Sequence, residues 1–198
     1  LSLVIIDEVI YFNNSLGDIS AVDVNDGSLI WQLPTRSNAI YEYNFSLETS
    51  DIIADENNLF FSNNKNQFFS VDIKSGSFKW ENTVNSNLRP TLIENFLISV
   101  SLEGYLIVID RITGNIIKVT DIFDNFNPKN RDKIAPTGFI VGLKNIYLST
   151  NMGKLLVIDI KSGKTISTLK IDNDKISRPV VLNDSLYLVK ENAVIKLN

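Results

Sequence analysis

The side chains of this 198-residue chain best suited to chemistry are four aspartates, Asp23, Asp72, Asp110 and Asp159, spaced by 49, 38 and 49 residues. Carboxylates can act as general acids and bases or hold a divalent cation. The surroundings of these four argue for another role. GDISAVDVNDG (17–27), NQFFSVDIKSG (66–76), GYLIVIDRITG (104–114) and GKLLVIDIKSG (153–163) align without a gap. Gly17, Asn66, Gly104 and Gly153 stand six before each aspartate, and Gly27, Gly76, Gly114 and Gly163 stand four after. A catalytic or metal site draws unlike residues to one point, whereas identical placement in four repeats serves the repeat. The expected role is a turn: the Asp carboxylate accepts hydrogen bonds from backbone N–H groups just ahead, and the Gly supplies the left-handed conformation. Asp23, Gly27, Asp72, Gly76, Asp110, Gly114, Asp159 and Gly163 are therefore structural candidates. No catalytic, cofactor-binding or metal-binding residue is expected among them.

Composition narrows the chemistry further. The chain holds no histidine and no cysteine. Imidazole-based triads, thiolate nucleophiles, disulfides and Cys/His metal sites are excluded. Net charge is −4 and the isoelectric point is near 4.9, which argues against nucleic acid as a partner. Apolar residues are 44% and charged residues 21%, a globular balance, and no apolar run reaches the ~20 residues of a membrane-spanning helix. The chain begins at Leu1, without an initiator methionine or signal peptide, and is read as a piece of a longer protein or a processed form.

The turns must be carried by strands. In the third repeat, residues 91–93, 96–100, 105–109 and 115–119 are runs of Val, Ile, Leu, Phe and Tyr separated by Gly, Asn, Asp and Ser. No window shows the 3.6-residue apolar stripe of a capped helix, so helix content is expected to be low. Four short strands at a period of ~40–45 residues predict an all-β fold, a β-propeller of four-stranded antiparallel blades. The blades are expected at about 1–33, 50–82, 89–120 and 135–170. Arg178-Pro179 repeats Arg89-Pro90 and opens a partial fifth blade over 178–198, whose fourth strand is missing. About four blades and part of a fifth suggest half of an eight-bladed ring, with residues before Leu1 completing the last sheet. Trp31 and Trp80 stand eight residues after the first two aspartates, where a flat ring can pack between sheets; Lys118 and Ser167 replace them in repeats three and four.

The pattern G-x-L-x-A/V-h-D-x-x-[S/T]-G-x-x-x-W resembles the PQQ-like repeat family across essentially all of residues 1–198. Within that family the short blades and the Asp-x-x-[Ser/Thr]-Gly-x-x-x-Trp repeats are similar to the BamB-type lipoproteins of outer-membrane β-barrel assembly. That resemblance implies a non-catalytic scaffold without a cofactor. It also implies a periplasmic location at the outer membrane, a lipid anchor outside this segment, and a partner in the barrel-assembly machinery. Two alternatives remain open at this level: a fragment of a PQQ-dependent dehydrogenase, or an extracytoplasmic propeller that senses a ligand. The dehydrogenases use a Trp-sandwiched quinone, in many members adjacent cysteines, and a calcium held by acidic and amide side chains. This chain lacks the cysteines, and its two Trp residues sit at repeat positions.

The 49-residue spacings place two insertions after fourth strands, at about 33–51 and 121–135. Long loops on a repeat scaffold commonly carry recognition, and Tyr, Phe and Arg are enriched at protein contacts. Arg36, Tyr41, Tyr43 and Phe45 in the first insertion, and Phe123, Phe126, Lys129 and Arg131 in the second, are the candidate protein-binding residues. The competing reading is that these loops are solvated crossovers whose aromatics cap the neighbouring core.

Overall fold

Period-two runs of β-branched and aromatic residues, interrupted by residues that tolerate positive φ, fold as five antiparallel sheets. The structure is a computed structural model that describes residues 2–14, 17–35 and 47–197. The first sheet is β1 (Leu3–Ile6), β2 (Val9–Asn13), β3 (Ile19–Asp23) and β4 (Leu29–Leu33). The second is β5 (Ile53–Ala54), β6 (Asn58–Asn63), β7 (Gln67–Asp72) and β8 (Phe78–Asn82). The third is β9 (Thr91–Ile93), β10 (Phe96–Val100), β11 (Tyr105–Asp110) and β12 (Ile116–Asp121). The fourth is β13 (Pro136–Val141), β14 (Asn145–Thr150), β15 (Lys154–Asp159) and β16 (Thr165–Lys170). The fifth has three strands, β17 (Val180–Leu182), β18 (Ser185–Lys190) and β19 (Ala193–Leu197). In every sheet the strands lie in chain order, each hairpin-connected to the next. Among the described residues one short helix, α1 (Pro128–Arg131), lies in the second insertion. Asn127 caps it by accepting the Lys129 N–H at 3.0 Å, and Pro128 occupies its first turn.

The repeat extends to register. A β-bulge stands at Ala21/Val22, at Ser70/Val71 and at Val157/Ile158, just before the turn aspartate each time. Across the strand pair Trp31 faces Ala21 and Trp80 faces Ser70, whereas Ser167 faces Val157. A small residue stands opposite each large ring, and a larger one opposite the serine.

The chain divides into two compact units, Leu1–Leu97 with Ile109–Asn115, and Ile98–Val108 with Ile116–Asn198. In the first unit the core joins the first two sheets through Tyr11, Ile19, Ala21, Ile52, Leu59, Phe61, Phe69, Val71 and Ile73. Strands β6 and β7 are buried on both faces, with Phe60, Phe61, Phe68 and Phe69 all nearly inaccessible. Each such ring contributes about 2–3 kcal/mol by leaving water. In the second unit Leu155, Ile176 and Leu188 form a core between the fourth and fifth sheets, flanked by Tyr147, Ile171, Leu186 and Leu197. Strand β17 is exposed at all three of its residues, and β16 at five of its six.

Candidate functional site

Each turn aspartate is engaged within its own turn. Asp72 Oδ1 accepts the N–H groups of Lys74 and Ser75 at 3.1 and 2.9 Å and the Ser75 hydroxyl at 2.9 Å, while Oδ2 pairs with Lys79 Nζ at 2.9 Å. Asp110 accepts Ile112 N–H at 3.0 Å, Thr113 N–H at 2.8 Å and the Thr113 hydroxyl at 2.9 Å. Asp159 accepts the N–H and hydroxyl of Ser162, both at 2.7 Å, and Asp23 accepts Asn25 N–H at 2.7 Å. The four glycines close the turns: their N–H groups donate to the aspartate carbonyls at 2.8–3.0 Å, and their φ values run from 68 to 75°. Hydrogen bonds to the ionised form hold three of these carboxyls below their ordinary range. For Asp72 the Lys79 ammonium contributes most, for Asp110 the Thr113 backbone, and for Asp159 the Ser162 hydroxyl. Among the described residues no three Asp or Glu stand close enough together to hold a metal ion.

The tryptophans reach from one repeat into the next. The Trp31 ring lies on Gly76 and its Nε1 donates to the Ile73 carbonyl at 3.1 Å. The Trp80 ring lies on Gly114, stacks on Phe68 at 5.8 Å, and donates to the Arg111 carbonyl at 3.0 Å. Beside it the Asn82 amide donates to the Gly114 carbonyl, and Arg111 Nη1 pairs with Asp55 Oδ2 at 3.0 Å. At each joint the neighbour's glycine therefore does two jobs, since its missing Cβ is the space the ring occupies.

The candidate contact residues fall into three groups. Arg36, Tyr41, Tyr43 and Phe45 lie outside the described residues. Phe126, Lys129 and Arg131 lie on the second insertion with surface to offer. The Phe126 ring meets Phe123 edge-on at 5.4 Å, and Lys154 Nζ lies 4.5 Å from its centroid. Arg131 pairs with Asp121 at 2.6 Å and stands over the Tyr105 ring at 5.7 Å; the Asp121 hydrogen bond raises its pKa further. Phe123 corrects the expectation. It is 0% exposed, with its ring in the hole left by Gly104, where an added Cβ would lie 2.1 Å from Cδ2. It anchors the insertion and offers no contact surface. No local pattern signals the roles of Tyr105 and Lys154, which come from strands distant in sequence, or of Asp121, which meets Arg131 across the insertion.

Blades of four antiparallel strands with one Asp–Gly turn each, the first two clamped by a Trp ring on the next blade's glycine, define a β-propeller of PQQ-like repeats. The family model described as outer membrane protein assembly factor BamB matches residues 1–120, and the chain belongs to that family. No curated protein matches it. Among solved structures it is similar to BamB from Moraxella catarrhalis, with a TM-score of 0.75 and 16% identity over 98% of this chain and 56% of that one. It is similar also to the computationally designed Ika8 protein, with a TM-score of 0.70 and 14% identity over 94% of this chain and 54% of that one. A third similarity is to the Pan2 WD40 domain of Neurospora crassa, with a TM-score of 0.68 and 11% identity over 94% of this chain and 54% of that one. At these identities the likeness is one of fold. The chain spans just over half the length of each.

Proposed function

We propose that this chain is part of a non-catalytic propeller scaffold that binds other proteins during outer-membrane β-barrel assembly. It would act on the periplasmic side of the outer membrane, held there by a lipid anchor outside the segment, with a subunit of the barrel-assembly machinery as partner. The observation that carries this reading is the family match over residues 1–120. The fold suits a scaffold, because sheets of hydrogen-bonded strands present their loops in fixed positions and binding then orders few additional side chains. The second insertion is the proposed contact, through Phe126, Lys129 and Arg131. Phe123 and the Arg131–Asp121 pair hold that loop in place before a partner arrives.

The test is affinity capture of the tagged protein from detergent-solubilised membranes of its source. A barrel-assembly component should be recovered, and F126A together with K129A should reduce its recovery at least tenfold while the thermal midpoint moves little. Recovery of no such component overturns the assignment. Stoichiometric binding of PQQ with calcium would overturn it in favour of an enzyme.

A further inference from the structure

Charge is divided unevenly along the chain. Residues 1–110 hold 15 of the 23 Asp and Glu and 5 of the 19 Lys and Arg, net −10; residues 111–198 hold the other 8 and 14, net +6. The repeat shows where in each sheet the change falls. One end of every four-stranded sheet carries the turn between its first and second strands and the turn between its third and fourth. In the first sheet that end bears Asp7, Glu8, Asp23 and Asp26 and no cation. In the second, Asp55, Glu56 and Asp72 stand there with Lys74, and in the third, Glu94 and Asp110 with Arg111. In the fourth, Lys144, Lys161 and Lys164 stand there with Asp159 alone. Equivalent turns thus run from −4 through −2 and −1 to +2.

The basic end of the fourth sheet is concentrated. The Ile160 N–H donates to the Lys144 carbonyl at 3.0 Å, so its two turns lie side by side. Lys118 adds an ammonium, which donates to the carbonyls of Lys161 and Ser162 at 2.9 and 2.7 Å. The one carboxylate, Asp159, accepts hydrogen bonds from Ser162 and feels the charge of Lys161 and Lys118, so it offsets one of the four cations. Lys144, Lys161 and Lys164 are exposed, and among the described residues no carboxylate lies within ion-pairing distance of them. Asp184 of the fifth sheet, which lines a groove with Lys144, offsets one charge. Beside Lys144 at the tip of the first turn stands Leu143, 101% exposed. The second insertion, in the same unit, shows no such excess: Lys129, Arg131 and Lys133 are matched by Asp121, Asp124 and Asp132.

We propose that this end of the fourth sheet docks on an anionic lipid surface, its lysines meeting phosphate headgroups and Leu143 entering the interfacial layer. Residue type favours lipid over an acidic protein. Protein contacts are enriched in Arg and aromatics and depleted in Lys, and this end offers lysines and one aliphatic tip. Each lysine near a negatively charged membrane strengthens binding about fivefold, and a protruding apolar side chain adds burial that salt does not screen. Such docking would set the orientation of the scaffold on the membrane, a matter separate from which protein it binds.

The test is co-sedimentation of the 198-residue chain with vesicles of phosphatidylethanolamine and phosphatidylglycerol at 3:1, against vesicles of phosphatidylcholine. Binding should require the anionic vesicles, fall at least tenfold in K161Q/K164Q, fall severalfold in L143D, and collapse in 0.5 M NaCl. K74Q on the second sheet should bind as the parent does, and circular dichroism should be alike for all variants. Equal binding to both vesicle types, or anionic binding that K161Q/K164Q leaves unchanged, overturns the proposal. So does the absence of vesicle binding, whether or not a fluorescein-labelled deca-glutamate peptide binds in a Lys161- and Lys164-dependent way; peptide binding would assign the surface to an acidic protein.

Discussion

In the first unit Trp31 and Trp80 cover the neighbouring glycine with an indole ring and cap a turn carbonyl with Nε1–H. In the second unit the same repeat position is Lys118, which caps two turn carbonyls with its ammonium. The cover over Gly163 comes from Thr120, whose Oγ1 would lie 2.8 Å from an added Cβ. Both joints supply a donor to the next turn's carbonyls and an atom group over its glycine. One residue meets both needs at the tryptophan joints, and two residues share them at the lysine joint. What the repeat requires is the hydrogen bond and the filled space, and the ring is one way of meeting both.

The largest effect that can break this comparison is at the glycines. Gly114 and Gly27 have nearly the same φ, 75 and 73°, but an added Cβ at Gly114 would lie 2.7 Å from Trp80, and at Gly27 it would meet nothing within 4 Å. Gly114→Ala should lose about 3 kcal/mol, combining backbone strain with overpacking, and Gly27→Ala about 1 kcal/mol from strain alone. Urea titrations of the two variants measure the difference. Trp80→Ala made in the Gly114→Ala background should recover the overpacking portion, so the double variant loses less than the sum of the two single losses. Equal losses at the two glycines, or strict additivity, would show that the ring does not need the missing Cβ.

Strands, hairpins and glycine turns are legible because each is encoded within a dozen residues: apolar alternation, Gly or Asn at positive φ, Asp ahead of a free N–H. Trp31 and Trp80 are legible as packing residues, but their partners are not, since Ile73 lies 42 residues from Trp31 and is found only once sheets are packed together. Phe123 misleads for the same reason. An aromatic in a long loop has the composition of a contact residue, and the hole at Gly104 that buries it belongs to another hairpin. Helix α1 is too short for periodicity to signal, and only Asn127-Pro128 hints at it. The ion pair of Arg131 with Asp121 spans the insertion and follows from no local pattern.

A smaller effect tests whether the two kinds of donor are equivalent. Lys118→Met removes both hydrogen bonds to Lys161 and Ser162 while keeping an unbranched stem, and Trp80→Phe removes the Nε1 donor to Arg111 while keeping a ring. Trp80→Phe should lose about 1 kcal/mol, the ordinary net worth of one such bond, and Lys118→Met about 1–2 kcal/mol for its two, with Lys118→Arg near the parent. A loss at Trp80→Phe severalfold that at Lys118→Met would place the weight on the ring, and make the lysine joint the weaker one.

The smallest expected effect separates the turns themselves. Asp72 and Asp159 both accept hydrogen bonds from the turn serine, but Asp72 also pairs with Lys79, the leading cause of its lowered pKa. A carboxyl whose folded pKa is depressed adds stability that is fully present above its unfolded pKa near 4 and is lost as pH falls through the folded value. Between pH 4 and pH 2 the parent should therefore lose stability, Asp72→Asn should flatten that slope, and Asp159→Asn should flatten it less. Moderate salt should shrink the Asp72 contribution through its partly exposed ion pair and leave the Ser162 hydrogen bonds of Asp159 nearly unchanged. Urea midpoints at pH 7, 4 and 2, with and without 0.5 M NaCl, read all three quantities. Equal slopes for the two variants would mean that Lys79 adds nothing to the hydrogen bonds the turn already makes.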